Sequence, residues 1–353
     1  MIQKKILFLT RYSRMGASSR LRTYQYRPLF EANGCTVAIK PLFNDRYLSA
    51  LYAGRGVSFI NVSFCYARRL FFLFTLYRYD KIIIEKELSP FLPAWGEWWI
   101  SRLGKGYIVD YDDAVFHNYD RHTSFWIRLL LKNKISKVMR NSQKVLAGNA
   151  YLAESARKAG AALVILLPTV VDFNRYRAAE SSKTNTLVKV GWIGSPSTLK
   201  YLKSLLPVLE SVKQRIPFEL VVIGGGSRPG FSGKETMVQW SEETEVREIQ
   251  QLDIGIMPLR DSSWEKGKCG YKLIQYMACG LPVLASPVGV NTELVRPRCN
   301  GFLPKNRIEW EDYLVRLIAD GELRVKMGSK GCKFVMEKYT LKSSFPVYYK
   351  ALE

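Results

Sequence analysis

The sequence predicts an α/β protein made of two doubly wound domains facing each other across a cleft, and three observations carry that prediction. Short runs rich in Val, Ile and Leu alternate with helix-length segments along the whole chain, the pattern of parallel strands joined by crossover helices. At 353 residues the chain is long for one domain and comfortable for two of about 150 to 200 residues, each able to bury a core. Between the halves, "PTVVDFNRYRAAESSKTNT" (168–186) loses periodicity and turns polar, as linkers do. The expected division is 1–170, a linker at 171–186, 187–335, and a C-terminal helix within 336–353 that packs back on the N-terminal domain.

The opening "MIQKKILFLTRYS" has too short an apolar run, interrupted too soon by Arg11 and Arg14, for a secretory signal, and it reads as a buried strand over 5–10. Further strands are expected over 36–39, 81–84, 106–110, 144–147 and 163–167. Helices are expected over 19–33, 92–103 and 124–140. After the linker, strands restart over 188–193, 219–223, 254–257, 282–285 and 301–303, with helices between them, one of them over 271–279. No internal repeat or low-complexity tract interrupts this order.

Composition narrows the class. Hydrophobic residues at 47% and charged residues at 24% are ordinary globular values. No segment approaches the roughly 18 to 20 apolar residues of a membrane-spanning helix, so the expectation is a soluble or peripheral protein. Six cysteines without a CxxC pair, and only two histidines, argue against a zinc site and for reduced thiols in a cytoplasmic protein. The formal net charge of +22 concentrates anions near the surface, which points to nucleic acid, anionic lipid or phosphorylated small molecules as partners. From 121 to 144 there are seven Lys or Arg and no acid. On a helix over 124–140, Arg128, Lys132, Lys137 and Arg140 share one side while Phe125, Trp126, Ile127, Leu130, Leu131, Ile135 and Val138 fill much of the rest, as on an interfacial helix. The plain alternative is a core helix with a solvated basic face. A second acid-free stretch, "RGVSFINVSFCYARRLFFLFTLYRY" (55–79), inclines the reading toward an anionic membrane surface.

Both domains place glycine turns at strand ends. In "LTRYSRMGASSRLRTYQY", Gly16 lies between strand and helix, with Ser18 or Ser19 as the helix N-cap. In "VGWIGSPSTLKYL", Gly194 and Ser195 end a strand and Pro196 opens a helix whose free N–H groups favour a phosphate, with Lys200 one turn in. In "VVIGGGSRPG", three glycines including Gly225 allow backbone to approach a flat ligand. None of these matches G-x-G-x-x-G or a P-loop, so a nicotinamide or Walker-type site is unsupported. In "GKCGYKLIQYMACGLPVLASPVGVNTELV" (267–295), the turn ending at Gly270 aims a helix N-terminus at the cleft with Lys268 and Lys272. That arrangement is a metal-free diphosphate clamp. Gln275, three residues after Lys272, is placed to reach the sugar of the same nucleotide.

These residues resemble a family. "DIGIMPLRDSSWEKGKCGYKLIQYMACGLPVLASPVGVNTELV" is similar to the donor-site signature of the retaining GT-B glycosyltransferases of family 4, group 1. The resemblance is specific over 188–295 and weaker in the first half, where "ASSRLRTYQYRPLFEANG" also takes part. It implies two Rossmann-like domains of GT-B type, an N-terminal one for the acceptor and a C-terminal one for a nucleotide diphosphate sugar. It further implies transfer with retention and without a bound metal or other cofactor.

The sequence departs from the family at two places. Of the family's two donor-site glutamates, the first is Gly267 here and the second Gln275, with Glu265 two residues off register. Where many members carry a histidine, this chain has "VDYDDAVFHNYD" (109–120), and Asp112, Asp113 and His117 are the nearest groups, the aspartates also being plausible turn caps. The expected catalytic residues are Lys200, Lys272, Asp113 and His117. The expected donor-binding residues are Gly16, Gly194, Ser195, Gly225, Lys268, Gly270 and Gln275, with no metal. The implied function is transfer of a sugar to a glycan, lipid-linked or small-molecule acceptor in cell-surface glycan or polysaccharide assembly, in the cytoplasm or at the inner face of the plasma membrane. Two other readings stay open: a GT-B-fold sugar-nucleotide epimerase, which needs no acceptor, and a basic nucleic-acid-binding protein, which needs aromatics interleaved with basic residues along one face.

Overall fold

A computed structural model describes residues 4–102, 104, 106–177 and 187–353; most of the expected linker, 178–186, and Leu103 of the expected helix 92–103 lie outside the described residues. Among the described residues twelve strands form two sheets with every pairing parallel. The first contains β1 (Lys4–Leu9), β2 (Cys35–Ile39), β3 (Lys81–Glu85), β4 (Ile108–Tyr111), β5 (Lys144–Ala147) and β6 (Val164–Leu166), in the order β2-β1-β3-β4-β5-β6. The second contains β7 (Lys189–Gly194), β8 (Glu219–Gly224), β9 (Lys234–Val238), β10 (Ile254–Met257), β11 (Val283–Ala285) and β12 (Gly301–Phe302), in the order β12-β11-β10-β7-β8-β9.

Each order reverses once, between β1 and β3 in the first sheet and between β7 and β10 in the second. With right-handed crossovers that reversal puts helices on both faces, so the expected doubly wound α/β class is what the chain adopts. The strands are apolar on both faces for the same reason. Along β8, Leu220 and Val222 join one core cluster, with the helix Leu199–Arg215, while Val221 and Ile223 join the other, with the helix Tyr271–Ala278.

The chain separates into two compact units, Met1–Thr169 with Lys266–Cys269 and Ser344–Glu353, and Val170–Glu265 with Gly270–Ser343. Within the first unit the C-terminal residues add an aromatic layer. Tyr348 packs edge-on against Phe8, Tyr26 and Phe30, and the Tyr26 and Ser344 hydroxyls share a 2.7 Å hydrogen bond.

Several expected elements differ. The helix over 19–33 is broken into Ala17–Arg22, a 3-10 turn at Tyr24–Tyr26, and Arg27–Ala32, because Pro28 lacks the N–H that a helix interior uses and suits a first turn instead. The basic helix over 124–140 is two helices, Phe125–Leu131 and Lys134–Asn141. The second buries Lys134, Ile135, Val138 and Met139, so the exposed apolar face is confined to the first. Strand β9 has no counterpart in the expectation, since its sequence KETMV is polar and lies at the sheet edge. No helix among the described residues is long and apolar enough to cross a membrane.

Candidate functional site

Open α/β sheets hold ligands beyond the carboxyl ends of their strands at the point where the order reverses. In the second unit that point lies beyond β7 and β10. β7 ends in Gly194 and Ser195, and the next backbone to arrive is the Gly224–Gly226 turn at the end of β8, all three glycines with φ between 75° and 81°. Gly225 N–H donates to Gly194 O at 2.8 Å. A side chain on Gly224 would stand 2.2 Å from that same carbonyl oxygen, so the close approach of the two turns requires glycine. Pro196 begins a 3-10 turn after Ser195, Thr198 Oγ1 donates to Ser195 O at 2.9 Å, and the helix Leu199–Arg215 follows. Lys200 lies exposed on its first turn, 5.3 Å from the Tyr201 ring.

Trp192, which the sequence alone does not single out, organises this corner. Its indole is buried, lies against Gly194 and Gly225, and has the Lys272 ammonium 4.4 Å from its centroid. Lys272 stands on the first turn of the helix Tyr271–Ala278. Gly270 opens that helix in a left-handed conformation, φ 64°, where a side chain would meet Leu294 at 2.3 Å. Gly194, Gly225, Gly270 and Lys272 are therefore gathered by one buried aromatic plate and two helix starts, with positive ends suited to anionic oxygens.

Gln275 has a different setting. It is buried and its amide donates to Tyr176 Oη at 2.9 Å. The Tyr176 phenol donates to Glu245 and lies 3.3 Å from the Tyr271 hydroxyl, and Trp240 Nε1 donates to the other Glu245 oxygen at 2.6 Å. Burial pushes the Tyr176 phenol well above its usual range, which keeps it protonated as the donor Glu245 needs. Glu265 is likewise buried and accepts from the Tyr201 and Ser262 hydroxyls.

The first unit gathers the other expected residues beyond the carboxyl ends of β1, β3 and β4. Gly16 caps the helix Ala17–Arg22, so Ser18 and Ser19 lie inside that helix rather than capping it. Their hydroxyls donate to Asp112 and to Glu85, each at 2.6 Å. Lys86, a non-glycine residue at φ 64° and a further residue the sequence reading passed over, places its buried ammonium 2.9 Å from Asp112 and 3.6 Å from Asp113. A left-handed non-glycine residue costs about 1 to 2 kcal/mol. The run EKE at 85–87 was the available signal, because three consecutive charges directly after the apolar run III must either end the strand in solvent or be paired inside.

The segment Lys266–Cys269 belongs to this first unit. Asn149 caps the helix Ala150–Lys158 through its Oδ1 while its Nδ2 donates to the carbonyls of Lys266 and Lys268, at 3.3 and 3.0 Å. Cys269 Sγ donates to Asp112 O at 3.1 Å, and Lys268 Nζ lies 4.0 Å from Asp113. Burial and the neighbouring Asp112 push the Cys269 thiol up, so it stays a neutral donor. At Gly267 a side chain would stand 2.4 Å from Ala114 Cβ and 2.7 Å from its backbone nitrogen, which is why no glutamate occupies that position here. His117 stands apart from the cluster, its Nδ1 2.9 Å from Asp120 and its Nε2 2.9 Å from the Tyr151 hydroxyl. Among the described residues no group of three or more His, Cys, Asp or Glu could hold a metal ion.

Residues 185–320 match the family described as Glycosyl transferases group 1. An uncharacterized glycosyltransferase of Methanocaldococcus jannaschii is 32% identical over 94 residues, which is 26% of this chain and 24% of that protein, so the chain spans about a quarter of the curated relative it matches. Among solved structures, sucrose-phosphate synthase from Thermosynechococcus elongatus aligns with a TM-score of 0.74 at 15% identity over 99% of both chains. Anabaena HepE, solved in complex with UDP and glucose, aligns at 0.68 and 15% over 99% of both. A glycosyltransferase from Rickettsia africae aligns at 0.70 and 13%, over 100% of this chain and 98% of that one. Residues 185–320 therefore resemble the glycosyl transferases of group 1, on a chain whose two parallel sheets have the GT-B glycosyltransferase fold.

Proposed function

We propose that the protein is a glycosyltransferase (EC 2.4) that moves a sugar from a nucleoside diphosphate sugar to a glycan, lipid-linked or small-molecule acceptor, with retention and without a bound metal, in assembly of a cell-surface glycan or polysaccharide. The observation that carries the reading is the Trp192 corner, where Lys272 and the glycine turns at Gly194 and Gly225 meet a helix N-terminus. Diphosphate oxygens gain negative charge as the glycosidic bond breaks, and fixed donors and cations aimed at them act most strongly in the transition state. Lys272, the helix starts that follow Gly270 and Ser195, and Lys200 take that role. In the first unit, Gly16 and Lys268 are the remaining candidates for donor binding and Asp113 and His117 for catalysis. HepE's complexes with UDP and with UDP-glucose support a uridine nucleotide as the first donor to try. The remaining partner is an anionic membrane surface, at the cytoplasmic face of the plasma membrane, rather than nucleic acid.

The test is thermal unfolding of the full chain with a panel of nucleoside diphosphate sugars, with and without EDTA, followed by a transfer assay with the stabilising donor. Ligand linkage raises the melting temperature only for what binds the folded state. A donor that stabilises equally in EDTA and is consumed only when an acceptor is added supports a metal-free transferase. Interconversion of the donor sugar without acceptor establishes an epimerase instead, and tight sequence-selective nucleic-acid binding at physiological salt overturns the enzyme reading.

A further inference from the structure

We infer that the first unit docks on an anionic lipid bilayer through the outward faces of the helices Phe59–Leu73, Trp95–Arg102 and Phe125–Leu131. This deepens the membrane partner named above, fixes where it binds, and does not depend on the sugar-transfer chemistry.

The helix Phe59–Leu73 buries Cys65, Arg69 and Leu73. On its other side Phe64, Phe71 and the C-cap residue Phe74 are 61%, 75% and 70% exposed, at spacings of seven and three that align them along one stripe. The exposed apolar surface continues onto neighbouring elements. The Phe74 ring packs on Trp99, and Trp95 on that helix is 74% exposed. Tyr66 Oη donates to Pro90 O at 2.8 Å, Phe91 packs on His122, and His122 Nδ1 accepts from Ser124 N–H, which opens the helix carrying Trp126, 68% exposed. Isolated exposed hydrophobics need no explanation, but aromatic side chains linked across three elements mark an interaction surface.

Charge selects the occupant. The stretches 55–79, 88–102 and 121–144 carry four, one and seven Lys or Arg, of which Arg69 and Lys134 are buried, against a single acid, Glu97. Glu97 is buried and accepts from Leu88 N–H at 2.8 Å, so it presents no charge outward. Arg78 lies against the Tyr77 ring and Arg102 against Trp98, at 5.5 and 5.4 Å, pairing each cation with an aromatic body. Amphipathic aromatics beside cations suit the headgroup level of a bilayer, where apolar rings enter the acyl boundary and Lys and Arg meet anionic lipid. A second copy fits poorly, because a two-fold interface would set this basic face against itself.

The test is co-sedimentation of the full chain with phosphatidylcholine vesicles, with and without phosphatidylglycerol, at physiological salt. The chain is expected to pellet with the anionic vesicles and stay in solution with the neutral ones. Replacing the exposed rings, Phe64→Ser with Phe71→Ser, should lower the bound fraction roughly tenfold or more while leaving the melting temperature and nucleotide-sugar binding unchanged. Arg78→Gln with Arg102→Gln and Lys132→Gln should weaken binding and flatten its salt dependence. Because nucleotide binding is read separately in solution, failure of the docking surface and failure of the transferase reading are distinguishable. Wild-type chain that stays in solution with both vesicle types overturns the inference, as does unchanged pelleting of the Phe64/Phe71 variant. A dimer in sedimentation velocity that this variant dissolves would assign the face to a second copy and overturn it too.

Discussion

The Lys272 ammonium stands 4.4 Å from the centroid of the Trp192 indole, and the same indole lies against Gly194 and Gly225. One buried ring thus sets a cation from one helix beside two strand-end turns. Lys272→Ala should lower the rate of sugar transfer by roughly 100-fold, comparable to removing one preorganised donor, because the cation acts on charge that grows in the transition state. Loss of the contact with the ring should cost only about 1 kcal/mol of stability. Turnover at saturating donor, measured beside thermal unfolding, separates the two effects. Near-native turnover would remove Lys272 from the mechanism.

Gln275 and Tyr176 are the second pair with a measurable consequence. Tyr176→Phe deletes the hydroxyl that Gln275 donates to and that Glu245 accepts from, leaving two buried polar groups short of a partner at a cost of about 1 to 3 kcal/mol. Gln275→Ala should show a loss of similar size in urea unfolding, with nucleotide affinity weakened through the displaced helix. Weakened nucleotide binding at full stability would instead give Gln275 a direct ribose contact.

Two glycines of like conformation should respond unequally to alanine. Gly34 has φ 77° with nothing near its missing side chain, so Gly34→Ala carries only left-handed strain of about 1 to 2 kcal/mol. Gly224 has φ 81° and would drive its methyl group to 2.2 Å from Gly194 O, adding a backbone clash that no rotamer relieves. Gly224→Ala should therefore be clearly the more destabilising of the two and should also weaken nucleotide binding. Equal melting temperatures would mean that the two turns can separate freely.

Asp112 carries a pH signature. Burial alone would raise its carboxyl, but the Lys86 ammonium, the Ser18 hydroxyl and Arg22 outweigh that and hold it below the usual range. A depressed folded-state value means that the carboxylate stabilises the protein above the ordinary aspartate value of about 3.9, and that this contribution is lost as pH falls through the folded-state value. Asp112→Asn should cost about 3 to 5 kcal/mol at neutral pH, toward the lower end because Asp113 still faces Lys86. The gap between variant and wild type should close in acid. A gap independent of pH would show that the loss comes from packing rather than charge.

The sequence alone determined the parallel α/β architecture, because strands buried on both faces must be apolar throughout and crossover helices must lie between them, as the runs ILFL, KIII and VVI already declare. It also marked the strand-end turns, since Gly194, Gly224–Gly226 and Gly270 are glycines where backbone meets backbone or φ turns positive. Other features were decided only by tertiary contact. The Lys266–Cys269 loop joins the first unit because Asn149 holds its carbonyls and Ala114 excludes a side chain at Gly267, partners more than a hundred residues away. Gln275 and Lys272 share a helix yet face a buried tyrosine and a buried indole respectively, which periodicity cannot distinguish. In Phe59–Leu73 both helix faces are apolar, so pattern gives no direction. Burial of Leu73 in the first sheet's core, and of Cys65 beside Leu42 and Phe43, is what turns Phe64 and Phe71 outward.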